Sequence, residues 1–271
     1  MSLGARLYLF TGNTTYYDWA EKLYDWCKNV GLVDPQYNAY DGSDVAQNCS
    51  TVNNQQFSYN AGVFLQGTAA MYNGSKTWGG GNPDKWHTEC SGFVDRTLQF
   101  FFKNNIMYEV MCEEINTCNQ DMKSYKSQLM QWLMNVAKQV PDQASKILPT
   151  LMDSSKAAVS VCNCGGVNGQ CGLKWTSPGV CDGTYGMGQE INVLNAIQIW
   201  AEPNVPGPYN QKTGGSGLSK GDANAGSGDD DGTAAALAKM KPITTGDKAG
   251  AGIITALIMM GFMGITVWMV L

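Results

Sequence analysis

Helical periodicity runs through most of this chain and limits its fold more than any other feature of the sequence. Apolar residues recur at spacings of three and four, whereas the strand-like alternation of apolar and polar residues is almost absent. Such spacing places apolar side chains on one face of an α-helix. The sequence therefore predicts an all-α fold, with helices at about 2–10, 15–31, 58–72, 88–104, 105–115, 120–139, 143–161 and 187–201.

The second predicted helix, TYYDWAEKLYDWCKNVG (15–31), shows this pattern most clearly. Thr14 or Thr15 can cap its start, and Gly31 fits its exit. Its apolar residues recur at three and four: Trp19, Leu23, Trp26 and Val30.

The connections between these helices are predicted to be long on one side of the fold and short on the other. A turn-rich loop from Asp34 to Gln56, for example, leads into the third helix. Helical hairpins of this kind can stack as a solenoid or close into a toroid. No fixed-period repeat is evident in the sequence, which favours the irregular hairpins of a toroid.

The nine cysteines favour disulfides over a metal site. His87 is the only histidine, and the cysteines around Cys164 lack the paired C-x₂-C spacing of zinc sites. We therefore expect neither a metal nor another cofactor. Sequons, which are candidate glycosylation sites and fit an oxidising compartment, stand at Asn13, Asn48 and Asn73.

Disulfide pairing is predicted only where short loops lie at helix ends. Cys112 is expected to pair with Cys118, and Cys171 with Cys162 or Cys164. Because nine is odd, one thiol is expected to be free or to have a partner outside this chain. No partner is predicted for Cys27, Cys49, Cys90 or Cys181.

The chain changes character after residue 201. Residues 202–248 are rich in Pro, Gly, Ser and Asp, so we expect a disordered linker in which the acidic run Asp229–Asp231 is solvated. Residues 249–271 are expected to form a hydrophobic tail, and 251–271 carry no charge and no basic residue after them. That pattern is typical of a GPI-attachment signal, with a retained membrane anchor as the alternative. The candidate attachment sites are Asp231, Gly232 and Asn224.

The N-terminal stretch MSLGARLYLFTGN has an apolar run too short for a secretory signal peptide. Sequons, cysteines and an anchor signal nevertheless indicate that the protein enters the secretory pathway and is located at the plasma membrane or cell wall. We therefore expect that the sequence as given lacks its true beginning.

The residue content argues against several classes of function. The net charge of −5 comes without a Lys/Arg cluster, so nucleic acid is not expected as a partner. The single histidine, His87, follows a Gly-rich loop and is read as an ordinary loop or first-turn residue. P-loop and H-E-x-x-H motifs do not occur. Any chemistry therefore falls to carboxylates.

Carbohydrate sites combine carboxylates with amides and aromatic platforms, because sugars present flat C–H faces and many hydroxyls. This chain has eight tryptophans and twelve tyrosines, and several aromatic residues fall in predicted loops, although core packing is the commoner role for each. These loop aromatics are Tyr37, Tyr40, Phe57, Tyr59, Trp78, Trp86, Trp175 and Tyr185.

Six stretches, in order, resemble the fungal glycoside hydrolase family 76 proteins, the GPI-anchored mannan endo-1,6-α-mannosidase-like enzymes of the cell wall. They are TGNTTYYDWAEKLYDW, YDGSD, QFSYNAGVFLQGTAAMYN, NIMYEVMCE, CGLKW and GTYGMGQEINVLNAIQ. The resemblance covers residues 2–201 and implies an (α/α)6 barrel, a helical toroid, of which the N-terminal part is missing.

The resemblance also implies attack on α-1,6-linked mannose by adjacent aspartates, one the nucleophile and the other the acid/base, in mannan or in the glycan of GPI proteins. No Asp-Asp dipeptide precedes the linker, so no catalytic residue is assigned. The matching motifs imply a substrate-binding role for Phe57, Tyr59, Asn60, Asp41, Gly42 and Gln189. Asn60 could equally be a helix cap, and Asp41 a turn former.

Three functions remain open on this evidence. The first is a glycosidase or transglycosidase that is inactive in this chain alone, because an incomplete toroid exposes apolar flanks and folds poorly. The second is a non-catalytic, GPI-anchored mannan-binding or structural wall protein. The third is a membrane-spanning helical protein that keeps its last helix.

Overall fold

The computed structural model describes residues 1–164, 169–201, 206–213 and 244–270, in two compact units, Met1–Gly214 and Gly215–Leu271. The first unit holds seven α-helices among its described residues. They are α1 (Ser2–Thr11), α2 (Thr14–Asn29), α3 (Ser58–Trp78), α4 (Pro83–Phe100), α5 (Tyr125–Gln139), α6 (Ala144–Ser160) and α7 (Met187–Gln198). The second unit holds α8 (Thr245–Val270).

The helices of the first unit form two layers. The inner helices α1, α3, α5 and α7 pack side by side in that order, while α2, α4 and α6 lie outside them and return the chain. Because each outer helix runs back along its inner neighbour, the inner helices all begin at the same end of the unit. The all-α toroid prediction is confirmed.

Short and long connections alternate, as the sequence predicts. At one end the turns are short: Gly12–Asn13, Gly79–Asn82 and the 3₁₀ turn Pro141–Gln143. Gly12 and Gly79 both adopt φ of 74°, a left-handed conformation that closes the preceding helix at little cost for glycine. The long connections, residues 30–57, 101–124 and 161–186, all lie at the other end, where the inner helices begin.

The predicted helix at 105–115 is wrong. Strands β3 (Phe102–Lys103) and β4 (Ile106–Met107) form an antiparallel hairpin instead, and irregular turns follow. Asn104 and Asn105 occupy the two-residue turn with φ of 53° and 64°. Positive φ at both central residues is the geometry that twisted hairpins prefer, and Asn tolerates it. A second short hairpin joins β1 (Gly42–Ser43) to β2 (Val52–Asn53).

Other helix boundaries shift because capping residues decide them. Helix α4 starts at Pro83 rather than at 88, since Asn82 caps it by accepting from the Lys85 N–H at 3.0 Å and proline suits the first turn. Helix α2 is capped by Asn13, which accepts from the Thr15 N–H at 2.9 Å, rather than by a threonine.

Aromatic residues fill the contact between α1, α2 and α4. Tyr8, Tyr24, Trp86 and Phe93 are fully buried, and neighbouring rings meet edge to face. Trp86 Nε1–H donates to the hydroxyl of Tyr17 at 3.1 Å. The sequence marks Trp86 as a loop aromatic, but its place within α4 makes it a core residue.

Apolar faces remain exposed on α2 and α7. The apolar residues whose spacing predicts α2 are exposed in the structure: Trp19 is 59% and Trp26 is 54% accessible. The buried face of α2 carries Tyr17 and Tyr24 instead. On α7, Leu194 is 56% and Ile197 is 47% accessible. The exposed flanks that the sequence predicts for an incomplete toroid are therefore present.

Disulfides join Cys112 to Cys118, Cys162 to Cys171, and Cys164 to Cys181. The first pairing is the predicted one, and the second is one of the two alternatives. The third was not predicted, because Cys181 lies 17 residues from its partner. Three thiols are free among the described residues rather than the single one expected: Cys27, Cys49 and Cys90.

The chain beyond α7 follows the predicted boundary only in part. Residues 206–213 lie against α1, where the Gln211 N–H donates to the Phe10 carbonyl at 2.9 Å, so the first unit extends past residue 201. Asp231, Gly232 and Asn224 lie outside the described residues. Among the helices described, none combines the length and the apolar character needed to cross a membrane.

Candidate functional site

The candidate site lies where the inner helices begin, because the long loops meet there. Three aromatic rings converge at the first turns of α3 and α5: Phe57, Tyr59 and Tyr125. Tyr59 and Tyr125 have ring centroids 4.6 Å apart, and Phe57 stacks on Tyr59 at 6.2 Å with an interplanar angle of 17°. We call these three residues the aromatic wall.

The members of the aromatic wall differ in exposure. Phe57 is only 5% accessible and meets Tyr125 edge-on at 5.9 Å, so it supports the other two rings from behind. Tyr59 and Tyr125 are half-buried and present their outer surfaces to solvent. The predicted platform role therefore fits Tyr59 better than Phe57.

Asp41 reaches the aromatic wall from the first long loop. Its carboxylate accepts the Tyr59 hydroxyl at 3.0 Å, and its backbone N–H donates to the Gln55 carbonyl at 2.9 Å. Burial, followed by the hydrogen bond to Asp41, raises the pKa of Tyr59 to about 12. Gly42 follows in β1, so the predicted YDG stretch stands beside the QFSYN stretch in space.

Asn60 is not the helix cap that was considered as its alternative role. The N-cap of α3 is Phe57, whose side chain makes no cap hydrogen bond. The Asn60 Nδ2–H donates to the Tyr40 carbonyl at a long 3.5 Å, and Oδ1 is buried without a protein partner. A buried oxygen without a partner is costly, so this amide retains hydrogen-bonding capacity at the site.

Gln189 sits in the first turn of α7, at the same end as the other predicted residues, but only 1% of it is accessible. The structure therefore places it beneath the surface rather than on a cleft wall. Its neighbour Asn192 ties α7 to α5, accepting from the Ser127 N–H at 2.8 Å.

Two features of the site were missed at the level of sequence. Tyr125 falls inside the helix predicted at 120–139, so it was not proposed for the site. It opens α5 after a long loop. An aromatic residue in that position is the same signal that led to Tyr59. Glu109 belongs to the NIMYEVMCE stretch, but the false helix at 105–115 hid its role. Its carboxylate is fully buried and accepts the Ser58 N–H at 3.1 Å, as well as the Ser58 hydroxyl.

A buried ion pair continues from Glu109. The Glu113 carboxylate accepts the Glu109 N–H at 2.9 Å and the Lys126 ammonium at 2.9 Å. Lys126 also donates to the Leu173 carbonyl and lies 4.1 Å from the centroid of the Trp175 ring. Trp175, another predicted loop aromatic, is fully buried here and contacts a cation rather than a ligand.

Burial dominates the electrostatics of these groups. It raises the pKa of Glu109 to about 7, against an opposing effect of the Ser58 hydrogen bonds. Burial also raises the pKa of Glu113 and lowers that of Lys126, each opposed by the attraction between the two.

His87 is remote from the aromatic wall. Its ring lies 5.3 Å from Tyr72, and Nε2 is 2.8 Å from Asp142 Oδ2. Tyr72 and Tyr59 are separated along α3 by about 20 Å. His87 was predicted to be an ordinary loop or first-turn residue; it lies instead in the second turn of α4 and is half-buried.

One group of possible metal ligands occurs among the described residues: Cys164, Cys181 and Asp182. The two cysteines form a disulfide with each other. Neither sulfur is therefore available as a thiolate, the form that binds metals.

The arrangement is suited to holding a sugar chain. The half-buried Tyr59 and Tyr125 rings offer their outer surfaces to C–H faces, and a carboxylate and an amide lie beside them.

Comparison with known proteins gives a consistent result. The model of glycosyl hydrolase family 76 matches residues 1–212. Mannan endo-1,6-alpha-mannosidase DCW1 of Saccharomyces cerevisiae is 37% identical to this chain, over 99% of the chain and 57% of the relative. The protein of the same name from Candida albicans is 38% identical, over 99% of the chain and 58% of the relative.

A solved structure is also similar. The crystal structure of Dfg5 from Chaetomium thermophilum in complex with glucosamine superposes with a TM-score of 0.73 at 33% identity, covering 83% of this chain and 56% of that chain. The present chain thus spans little more than half the length of the relatives it matches.

Proposed function

Because the chain belongs to glycosyl hydrolase family 76, we propose that its aromatic wall binds α-1,6-linked mannose chains, the substrate of mannan endo-1,6-α-mannosidase-type glycosidases. The observation that carries this proposal is the pairing of the Tyr59 and Tyr125 rings, 4.6 Å apart, beside the Asp41 carboxylate. A flexible 1,6-linked chain presents successive flat faces to such rings, and its hydroxyls meet the polar groups between them.

Each polar group has a defined part in this proposal. Asp41 accepts hydrogen bonds from sugar hydroxyls with the carboxylate oxygen that Tyr59 does not use. Asn60, half-buried beside it, holds the loop through the Tyr40 carbonyl. Phe57 holds Tyr59 in place from behind rather than touching sugar. Gln189, nearly fully buried, supports the start of α7.

Hydrolysis requires carboxylates that these residues do not provide. The family resemblance implies adjacent aspartates, and residues 1–201 contain no Asp-Asp pair. Glu109 is fully buried under the aromatic wall and hydrogen-bonded to Ser58, so it is not placed to attack a sugar. We therefore propose that the chain binds mannan, or the mannose of a GPI glycan, without cleaving it alone.

A non-catalytic mannan-binding protein is the second candidate function. Both candidates share the same binding wall, and they differ in whether adjacent aspartates complete the site. Release of reducing ends from α-1,6-mannan by the chain separates the two.

We also propose passage through the secretory pathway towards the cell wall. Three disulfides support an oxidising compartment. Asn13 and Asn48 are exposed in a cap and a loop, where glycosylation is sterically possible, whereas Asn73 lies half-buried within α3. Attachment through a GPI anchor at Asp231, Gly232 or Asn224 is tested by release of the protein from cells with phosphatidylinositol-specific phospholipase.

A sugar panel tests the proposed function. The full chain is titrated with a linear α-1,6-mannohexaose, and with an α-1,4-glucan hexaose of the same length as the control. We expect saturable binding of the mannan oligosaccharide, binding of the glucan at least tenfold weaker, and no reducing ends released. Equal affinity for both hexaoses would contradict the proposal.

A further inference from the structure

We infer that the buried group of Glu109, Glu113 and Lys126 is a positioning device that holds the rings of the aromatic wall in their binding arrangement. This inference rests on the proposed mannose-binding function and concerns residues that need not touch the sugar. We refer to these three residues as the buried charge group.

The first link runs from Glu109 to the backbone between two wall residues. Ser58 lies between Phe57 and Tyr59, and its N–H lies 3.1 Å and 3.3 Å from the two Glu109 carboxylate oxygens. The N-cap residue Phe57 has no side chain that can accept a hydrogen bond from the first turn of α3. The Glu109 carboxylate takes over this capping role at the positive end of the helix. The orientation of both rings therefore depends on a carboxylate from a different loop.

The second link runs to the third ring. Lys126 follows Tyr125 directly, and its ammonium bonds to Glu113, whose same oxygen accepts the Glu109 N–H. Lys126 also binds the Leu173 carbonyl, in a loop held by the Cys162–Cys171 disulfide. One continuous set of contacts thus connects the starts of α3 and α5.

A purely structural role does not require these charges. Glu109, Glu113 and Lys126 are each at most 1% accessible. Replacing a buried ion pair by apolar residues of similar volume is often neutral or stabilising, so the charges are better explained by a need to fix geometry. Their location directly behind the candidate site indicates which geometry is fixed.

Among the described residues, a few titratable groups act on the buried charge group. Glu113 faces Glu109 from the same loop, Lys126 faces it from α5, and Tyr125 lies close enough for Glu109 to affect its pKa. Asp182, from the loop before α7, acts on Glu113 and Lys126. With its own pKa raised to about 7, Glu109 changes charge near neutral pH, and the wall should respond to that change.

The test follows the rings and the sugar separately in the full chain. The chain is labelled with 3-fluorotyrosine, and the Tyr59 and Tyr125 signals are assigned by substitution to Phe. The variants are Glu109→Ala and Glu109→Gln. The matched control is Glu114→Gln, which removes an exposed glutamate of the same loop that pairs with Lys103 at 2.7 Å.

We expect Glu109→Ala to shift or broaden the Tyr59 and Tyr125 signals and to weaken α-1,6-mannohexaose binding at least tenfold, while Glu114→Gln changes neither. In the unsubstituted chain, the Tyr59 signal should titrate with a midpoint near the raised Glu109 pKa. Glu109→Gln, which keeps the hydrogen-bonding shape, should retain binding and abolish that titration, even if Glu109→Ala fails to fold.

Unchanged Tyr59 and Tyr125 signals in folded Glu109→Ala, or the same Tyr59 titration in Glu109→Gln as in the unsubstituted chain, would overturn the inference. If the unsubstituted chain binds no mannohexaose, the proposed function is wrong. The fluorine signals then still decide whether Glu109 positions the rings.

Discussion

A single carboxylate explains how the aromatic wall is built at the scale of residues. Glu109 caps α3 from another loop, which frees the residues around the helix start to carry rings and an amide instead of a capping side chain. The cost of this arrangement is burial of a group that prefers to be charged in water.

The pH dependence of stability provides a test of Glu109. Its folded-state pKa, about 7, exceeds its ordinary value of 4.5, so the folded chain binds more protons than the unfolded chain between these values. The free energy of unfolding should therefore fall as pH rises from 4.5 to 7, by up to about 3 kcal/mol from this group.

Urea unfolding across that pH range measures the effect. Glu113, whose pKa is also raised, contributes with the same sign, so Glu109→Gln should make the slope shallower rather than remove it. An identical slope in Glu109→Gln would show that Glu109 is not perturbed by burial.

The hydrogen bond between Tyr59 and Asp41 permits a second test. Tyr59→Phe removes the hydroxyl that donates to Asp41, so neither the Tyr59 ring nor the Asp41 carboxylate is held in position. Mannohexaose binding should therefore weaken by about 1 kcal/mol, or roughly fivefold. In a double-mutant cycle with Asp41→Ala, the two effects should be less than additive. Strict additivity would mean that the contact has no part in binding.

The motifs named most residues of the candidate site but not the groups that support them. Tyr59, Asn60 and Asp41 belong to short matching stretches, so a local pattern was enough to propose them. Glu109 could not be found, because its contact with Ser58 joins residues 51 positions apart. Long-range hydrogen bonds of this kind leave no periodic pattern.

At the scale of elements, α3 is the central support of the site, since it packs against α1, α4 and α5. Close packing requires small residues on several of its faces. A Cβ at Gly62 would overlap the Trp132 ring of α5.

Gly62→Ala should therefore be destabilising, although alanine is the better helix former. Overpacking should lower the free energy of unfolding by about 1–3 kcal/mol, outweighing the gain of up to about 1 kcal/mol in helix propensity. The matched control is Asn73→Ala within the same helix. Gly79→Ala is unsuitable, because Gly79 has a positive φ that strains an alanine even though the space around it is open. Stabilisation by Gly62→Ala in urea unfolding would contradict the packing described.

The hairpin at 102–107 shows why one element was misassigned. The segment NNIMYEVMCEE has helix-compatible apolar spacing, but the asparagine pair favours a tight turn with positive φ at both positions. Over so short a segment, the turn preference of the asparagine pair determines the structure more strongly than the apolar spacing does. Helix ends were misplaced for a related reason, since Asn82 and Pro83 define the start of α4 more strongly than its apolar residues do.

At the scale of the whole molecule, the first unit consists of two helical layers, with apolar residues exposed on α2 and α7. Alternating short and long connections predicted helical hairpins whose inner helices begin at one end, which fits a solenoid or a toroid. The lack of a fixed-period repeat then favoured the toroid. How far the helical layers close into a ring is not encoded in any local pattern.

The exposed face of α2 should govern association of the chain. Leu23→Glu combined with Trp26→Glu should reduce the aggregated fraction in size-exclusion chromatography with light scattering, because both side chains are more than 40% accessible. Val45→Glu, at an 81% accessible loop residue outside this face, should have little effect. A monodisperse, monomeric unsubstituted chain would contradict this prediction.

Calorimetric titration of the full chain with α-1,6-mannohexaose tests the central claim most directly. Tyr59→Ala should weaken binding at least tenfold, or by about 1.4 kcal/mol, since it removes the ring at the centre of the aromatic wall. Trp19→Ala, which removes an exposed ring on α2 at the opposite end of the helices, should leave the affinity unchanged. Equal affinities for Tyr59→Ala and the unsubstituted chain would show that mannose does not bind at this wall.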